Sequence, residues 1–134
     1  MRKLYYAHPM KLYRTPWERK ELAQIRKRFP RPSIVNPASY EGHPEKLQDT
    51  VGFCLKLVEK CEVIVFRRFF GKVTAGVGKE VNHALRLGKR VYELRNGTFK
   101  AVTSRLSYLS RARTNQLYNR FDRGYFPNPS QGKF

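Results

Sequence analysis

The stretch Thr74 to Lys89, TAGVGKEVNHALRLGK, restricts the fold of this chain more than any other. It comes shortly after the most strand-like run, Glu62 to Phe66 (EVIVF), so a strand, a glycine-containing turn and a helix follow one another. Val77, Val81, Ala84 and Leu85 recur as an apolar stripe of helical period, and Gly88-Lys89 reads as a helix stop. Gly76 and Gly78 are expected in backbone angles closed to other residues, close to a ligand, where free N–H groups and the positive end of the helix dipole favour an anion. Glu80 is expected in the first turn, where it either complements the dipole or is a reactive carboxylate beside that anion site. The spacing matches neither GxGxxG nor GxxxxGK[ST].

The rest of the chain repeats the alternation. Lys3 to Ala7 reads as a first strand, followed by a loop carrying His8, Lys11 and Arg14. Thr15, Pro16 and Glu18 then announce a helix with a capping box and a buried stripe of Leu22, Ile25 and Phe29. Ser33 to Val35 is a second strand ending at Asn36-Pro37, and a loop with Tyr40, Glu41 and His43 follows. One helix is expected from about Glu45 to Lys60, with Leu47, Val51, Cys54, Leu55 and Val58 inward and Asp49 near its start. Arg90 to Leu94 is a fourth strand, Asn96-Gly97 a turn, and Thr98 to Val102 a further short strand. Leu106, Leu109 and Leu117 are expected in a weak helix, with a tail over residues 124–134.

Strands alternating with helices at this spacing imply an α/β fold: a three-layer, doubly wound, Rossmann- or flavodoxin-like parallel sheet of four to five strands, in one domain over residues 1–123. In such sheets ligands bind beyond the carboxyl ends of the strands. That rule brings His8 to Arg14, Asn36 to His43, Arg67 to Lys72 and Thr74 to Glu80 into one site, with His8, Lys11, Arg14, Asn36, Gly76 and Gly78 as candidate substrate contacts.

Charge narrows the partner. Lys and Arg outnumber Asp and Glu by 28 to 10, a net charge of +18, which attracts phosphate, whether on a small substrate or on nucleic acid. No apolar run approaches the roughly 20 residues that span a bilayer, and no export signal core opens the chain, so a cytoplasmic protein without a membrane partner is expected. Cys54 and Cys61 fall about 10 Å apart along one expected helix, too far to bridge, and read as reduced thiols. His8, His43 and His83 have no metal spacing, and neither metal nor cofactor is expected.

The order YYAHPM, NP after the second strand, CEVIVF and TAGVGKEVNHALRLGKRV resembles the nucleoside 2-deoxyribosyltransferase superfamily over roughly residues 3 to 94, and the Gly76 to Ala84 core is closest to its 2′-deoxynucleoside 5′-monophosphate N-glycosidase branch. The resemblance implies a homodimer or higher oligomer acting on nucleosides or nucleoside monophosphates, as hydrolase or transferase, with Glu80 attacking the anomeric carbon. It further implies that Tyr5 hydrogen-bonds Glu80, that Thr74 binds the 5′-phosphate, and that Lys11 stands where the branch has a phosphate-binding Arg. The family's sugar-binding Asp falls on Cys54, and Asp49 is the nearby carboxylate that can replace it. His43, Asp49 and His8 are candidates for protonating the leaving base. The competing expectation is a nucleotide- or nucleic-acid-binding module that keeps the fold without catalysis.

Overall fold

The computed structural model describes residues 2–124. A five-stranded sheet has the order β2-β1-β3-β4-β5. Its strands are β1 (Lys3–Ala7), β2 (Ser33–Val35), β3 (Val63–Phe66), β4 (Arg90–Arg95) and β5 (Thr98–Val102). The first four in space are mutually parallel and β5 returns antiparallel. Asn96 and Gly97, both at positive φ (51° and 74°), form the turn that makes that return tight. Around the sheet lie α1 (Pro16–Arg28), α2 (Pro44–Gln48), α3 (Thr50–Glu59), α4 (Ala75–Arg86) and α5 (Arg111–Asp122).

Side chains alternate along β1 and so serve two cores. Leu4 and Tyr6 pack with Val63, Val65 and Leu94 beneath Ile25 of α1. Tyr5 and Ala7 face the other way, with Ile64 and Phe66, beneath Leu57 and Val58 of α3 and Val77, Val81 and Ala84 of α4. The chain leaves β1 toward β2 on one side and reaches β3 on the other, so the carboxyl end of β1 is the switch point where ligands enter such sheets.

Two stretches depart from expectation. The helix expected over 45–60 is two: Asp49, at φ −150°, ends α2 and caps α3, its side chain accepting from the Gly52 N–H at 3.0 Å. An Asp offers the backbone an acceptor that competes with continuing the helix. Leu47 of α2 and Val51 of α3, both expected inside, are 73% and 43% exposed, whereas Cys54 and Val58 are buried as expected and Leu57 joins them. The helix expected to hold Leu106 and Leu109 begins only at the Ser110 cap, whose hydroxyl accepts from the Arg113 N–H. Before it, residues 103–110 form a strap: the Asn82 side chain both donates to the Leu106 carbonyl and accepts from its N–H, and the Leu109 N–H donates to the Val73 carbonyl.

Helix α5 packs on its own chain. Phe121 is buried with Leu12 and Phe69, and Trp17, Phe70, Leu117 and Tyr118 pack around them. Of the expected 124–134 tail, all but Gly124 lies outside the described residues. No helix among the described residues is long and apolar enough to cross a membrane.

Candidate active site

Helix α4 begins at Ala75, capped by Thr74, with Gly76 and Gly78 inside it. Neither glycine has positive φ, so the turn expected there is helical backbone. Gly78 is needed for another reason: a Cβ there would overlap the ring of Tyr108. With the helix starting this early, Glu80 lies in its second turn and not the first. It points at the sheet, 8% exposed, on the stripe that carries Val77, Val81 and Ala84.

At the switch point Glu80 meets Tyr5. The Tyr5 hydroxyl, fully buried, donates to Glu80 Oε2. Burial pushes the Glu80 carboxyl up to about 7, against the Tyr5 hydrogen bond, the charge of Lys46 and a hydrogen bond from the Cys54 thiol, all of which favour the anion. Cys54 is itself pushed up to about 11, by burial first and by the Glu80 charge second, so near neutral pH it is a thiol that donates and not a thiolate. Both cysteines are free and buried.

The other neighbours of Glu80 come from the loops. Lys46, only 5% exposed, is held by the Pro37 carbonyl at 2.9 Å, with its ammonium 5.2 Å from the centre of the Tyr13 ring. Tyr13 has its phenol raised by burial and then by the Glu80 charge. Tyr118 of α5 is pushed up to about 12 by burial, although contacts with Thr74 and the Met10 backbone oppose this. Thr74 is 1% exposed, and its Oγ1 has no well-aligned hydrogen-bond partner among the described residues. The next group, the Ala75 N–H, donates to Thr114 Oγ1 of α5 at 3.0 Å. Lys11 is drawn onto the same helix, its Nζ 2.8 Å from Asp122 Oδ2.

Several expected site residues gather elsewhere. His8, 3% exposed, is bound through Nδ1 to the Tyr6 carbonyl and through Nε2 to Glu18 at 2.7 Å, with its ring stacked on Tyr6. The Arg14 N–H, aimed by a left-handed φ of 61°, donates to the other Glu18 oxygen at 3.0 Å, and the Asn36 side chain reaches Glu18 as well. Burial would raise Glu18, but the hydrogen bonds from His8, Arg14 and Asn36 outweigh it, and the net displacement is below the ordinary value. His8, Asn36 and the Arg14 backbone thus hold a second, structural carboxylate. His43 and Asp49 are exposed helix caps: His43 Nδ1 accepts from the Glu45 N–H, and its ring stacks on Phe53. On the α2–α3 side, the groups that meet Glu80 are Cys54 and Lys46.

No family model, curated protein or solved structure matches this chain. The site therefore rests on its own geometry: one buried carboxylate poised near neutrality, ringed by three phenols, a thiol and an ammonium, with an anion-favouring helix start beside it. Lys46, Tyr13 and Tyr118 were not singled out from the sequence as site residues. Nothing in their local pattern marks them, because a lysine in a five-residue helix is ordinarily solvated. Among the described residues no three His, Cys, Asp or Glu side chains come together as a metal set.

Proposed function

We propose that the protein cleaves, or exchanges the base of, the N-glycosidic bond of (deoxy)nucleoside 5′-monophosphates, with Glu80 as nucleophile. One observation carries the reading: a buried carboxylate, pushed up to about 7, accepts the hydroxyl hydrogen of Tyr5 at the switch point of a doubly wound sheet. A group with that displacement is half ionised near neutral pH, as a nucleophile or base needs.

In the reaction a Glu80 oxygen attacks the anomeric carbon through an oxocarbenium-like state, a carbon–oxygen bond forms, and the carbon–nitrogen bond breaks with its electron pair leaving on the base. The base takes up a proton from water as it leaves, since His8, His43 and Asp49 are held elsewhere. Water then hydrolyses the glycosyl ester, or a second base displaces it. Tyr5 holds the attacking carboxylate in one rotamer. The buried Thr74 Oγ1 at the start of α4, touched by Tyr118 but without a well-aligned partner among the described residues, supports a 5′-phosphate there, with Lys11 as the nearby cation. The resemblance of residues 3 to 94 to the deoxyribosyltransferase superfamily points the same way. It also supports a homodimer, for which the exposed Leu47 and Val51 offer apolar surface, and a cytoplasmic enzyme with reduced thiols.

The test is incubation with nucleoside monophosphates and with nucleosides, followed by chromatography for free base. Release by the wild-type protein that vanishes in Glu80→Ala is expected. Release that persists unchanged in Glu80→Ala removes Glu80 as nucleophile, and no release from any substrate removes the reading.

A further inference from the structure

Helix α4 has a second working face. Glu80, Val77, Val81 and Ala84 face the sheet, while Lys79 and Arg86 line a groove of about 510 Å³ on the far side, between α4, Leu55 of α3 and the 103–108 strap. We propose that this groove, separate from the Glu80 pocket, binds single-stranded nucleic acid, stacking a base on Tyr108 and holding the flanking phosphates on Lys79 and Arg105.

The wall of the groove is built and not incidental. The strap is fixed by the two-way Asn82–Leu106 hydrogen bonds at 2.9 and 2.8 Å. Tyr108 is seated against Gly78, where any side chain would displace it, yet it keeps 38% of its surface in solvent. A ring held in place with surface left in water is a stacking platform, and every base has a face to offer it. Leu55 and Leu85 supply an apolar lining beside it.

The charges around the ring match a polyanion. Lys79, Arg86 and Arg105 line the groove, and no Asp or Glu does. Among the described residues no hydrogen bond or ion pair from Lys79 or Arg105 to an acid is formed. Arg86 is turned aside: it donates to His83 Nδ1 at 2.6 Å, which leaves His83 Nε2 to hydrogen-bond Glu59 at 2.7 Å. That chain orients Arg86 without a carboxylate entering the groove. The net charge of +18 adds a long-range field that draws phosphate in. The groove takes about one nucleotide, a single strand's thickness and not a duplex's, and an acidic peptide would leave the exposed ring unused.

The experiment is fluorescence anisotropy of the full chain with labelled twelve-nucleotide oligo-dT and oligo-U, from low to high salt. Binding that weakens steeply with salt is expected, and the two oligomers separate a DNA from an RNA preference. Tyr108→Ala should weaken binding by about tenfold, as expected for one stacked base. Lys79→Glu with Arg105→Glu should weaken it further and flatten the logarithmic salt slope by about 1.4, two phosphate contacts' worth for a single strand. A control with the same charge change, Arg19→Glu with Lys20→Glu on α1, packed against the opposite face of the sheet, should retain binding more closely. Circular dichroism confirms that each variant is folded. No binding at the lowest salt, equal loss in the α1 control, equal affinity for duplex, or full competition by poly-glutamate would each overturn the proposal. Because binding is read without turnover, its outcome is independent of whether Glu80 releases a base.

Discussion

Tyr5 and Glu80 are joined by a hydrogen bond across 75 positions of sequence, Tyr5 wholly buried and Glu80 nearly so. Of the groups that oppose the effect of burial on this carboxylate, the hydroxyl is the first, and it favours the ionised form. Removing it in Tyr5→Phe leaves the ring and its packing and deletes the donor. A hydrogen bond to a charged group is worth about 1.5–3 kcal/mol, so the acidic limb of the pH–rate profile for base release should move to higher pH by about one to two units. An unmoved limb with lowered activity would show that Tyr5 acts only as packing.

The buried carboxyl also writes a pH dependence into stability. Glu80 titrates at about 7 when folded and near 4.5 when unfolded. Between those values the folded state holds more protons, so stability falls as pH rises from about 4.5 through 7 and is level above. That interval of about 2.5 units corresponds to about 3 kcal/mol. Glu80→Gln keeps the shape and cannot ionise, so its melting temperature should overtake that of the wild type between pH 5 and pH 8. Parallel melting curves for the two proteins across that range would contradict the assignment.

Among the described residues, Lys46 supplies the ammonium that bears on Glu80. Lys46→Met retains much of the buried stem and removes the charge, so the Glu80 carboxyl should rise further, shifting the onset of activity to higher pH by about one unit. The variant should melt no more than a few degrees lower, because Glu80, without the Lys46 charge, takes up a proton and does not remain as an unpaired buried anion. A titration of Glu80 by NMR in both proteins measures the displacement directly, and no displacement would mean that Lys46 is screened from it.

Asp122 holds Lys11 in an ion pair that is partly in solvent, the side chains 34% and 49% exposed. Screening limits its worth to under about 1 kcal/mol, so Asp122→Asn should barely change stability. It should lower KM for a nucleoside monophosphate several-fold while leaving KM for the free nucleoside alone, since only the phosphate competes with Asp122 for Lys11. An equal change for both substrates would place Lys11 outside phosphate recognition.

The sheet was legible because its strands are short apolar runs, KLYYA and EVIVF among them, separated by helices with clear starts. The helix break at Asp49 was not, since the same Asp can sit solvated in a continuous helix, and only the folded partners decide which occurs. The rule of strand ends drew His8, Arg14 and Asn36 toward the same site as Glu80, but the sequence offers two carboxylates nearby. Glu18, closer along the chain, captured all three. Gly76 and Gly78 suggested a turn because glycine weakens helices, yet α4 starts at Ala75, ahead of both. The Tyr5–Glu80 pairing came from resemblance, not spacing, for no periodicity links positions so far apart.

Thr114, Tyr118 and Asp122 all belong to α5, the last of the described elements in chain order. During synthesis the sheet and α4 are therefore made while Thr74, the Ala75 N–H and Lys11 still lack their neighbours from α5. Over the same interval Phe69 and Leu12 lack the Phe121 ring that later covers them. A nascent chain at that stage carries uncovered aromatic surface, the kind that associates with other chains. Docking of α5 thus covers that aromatic surface and brings Thr114, Tyr118 and Asp122 to their partners in a single event, so a chain cut before Arg111 should be adhesive.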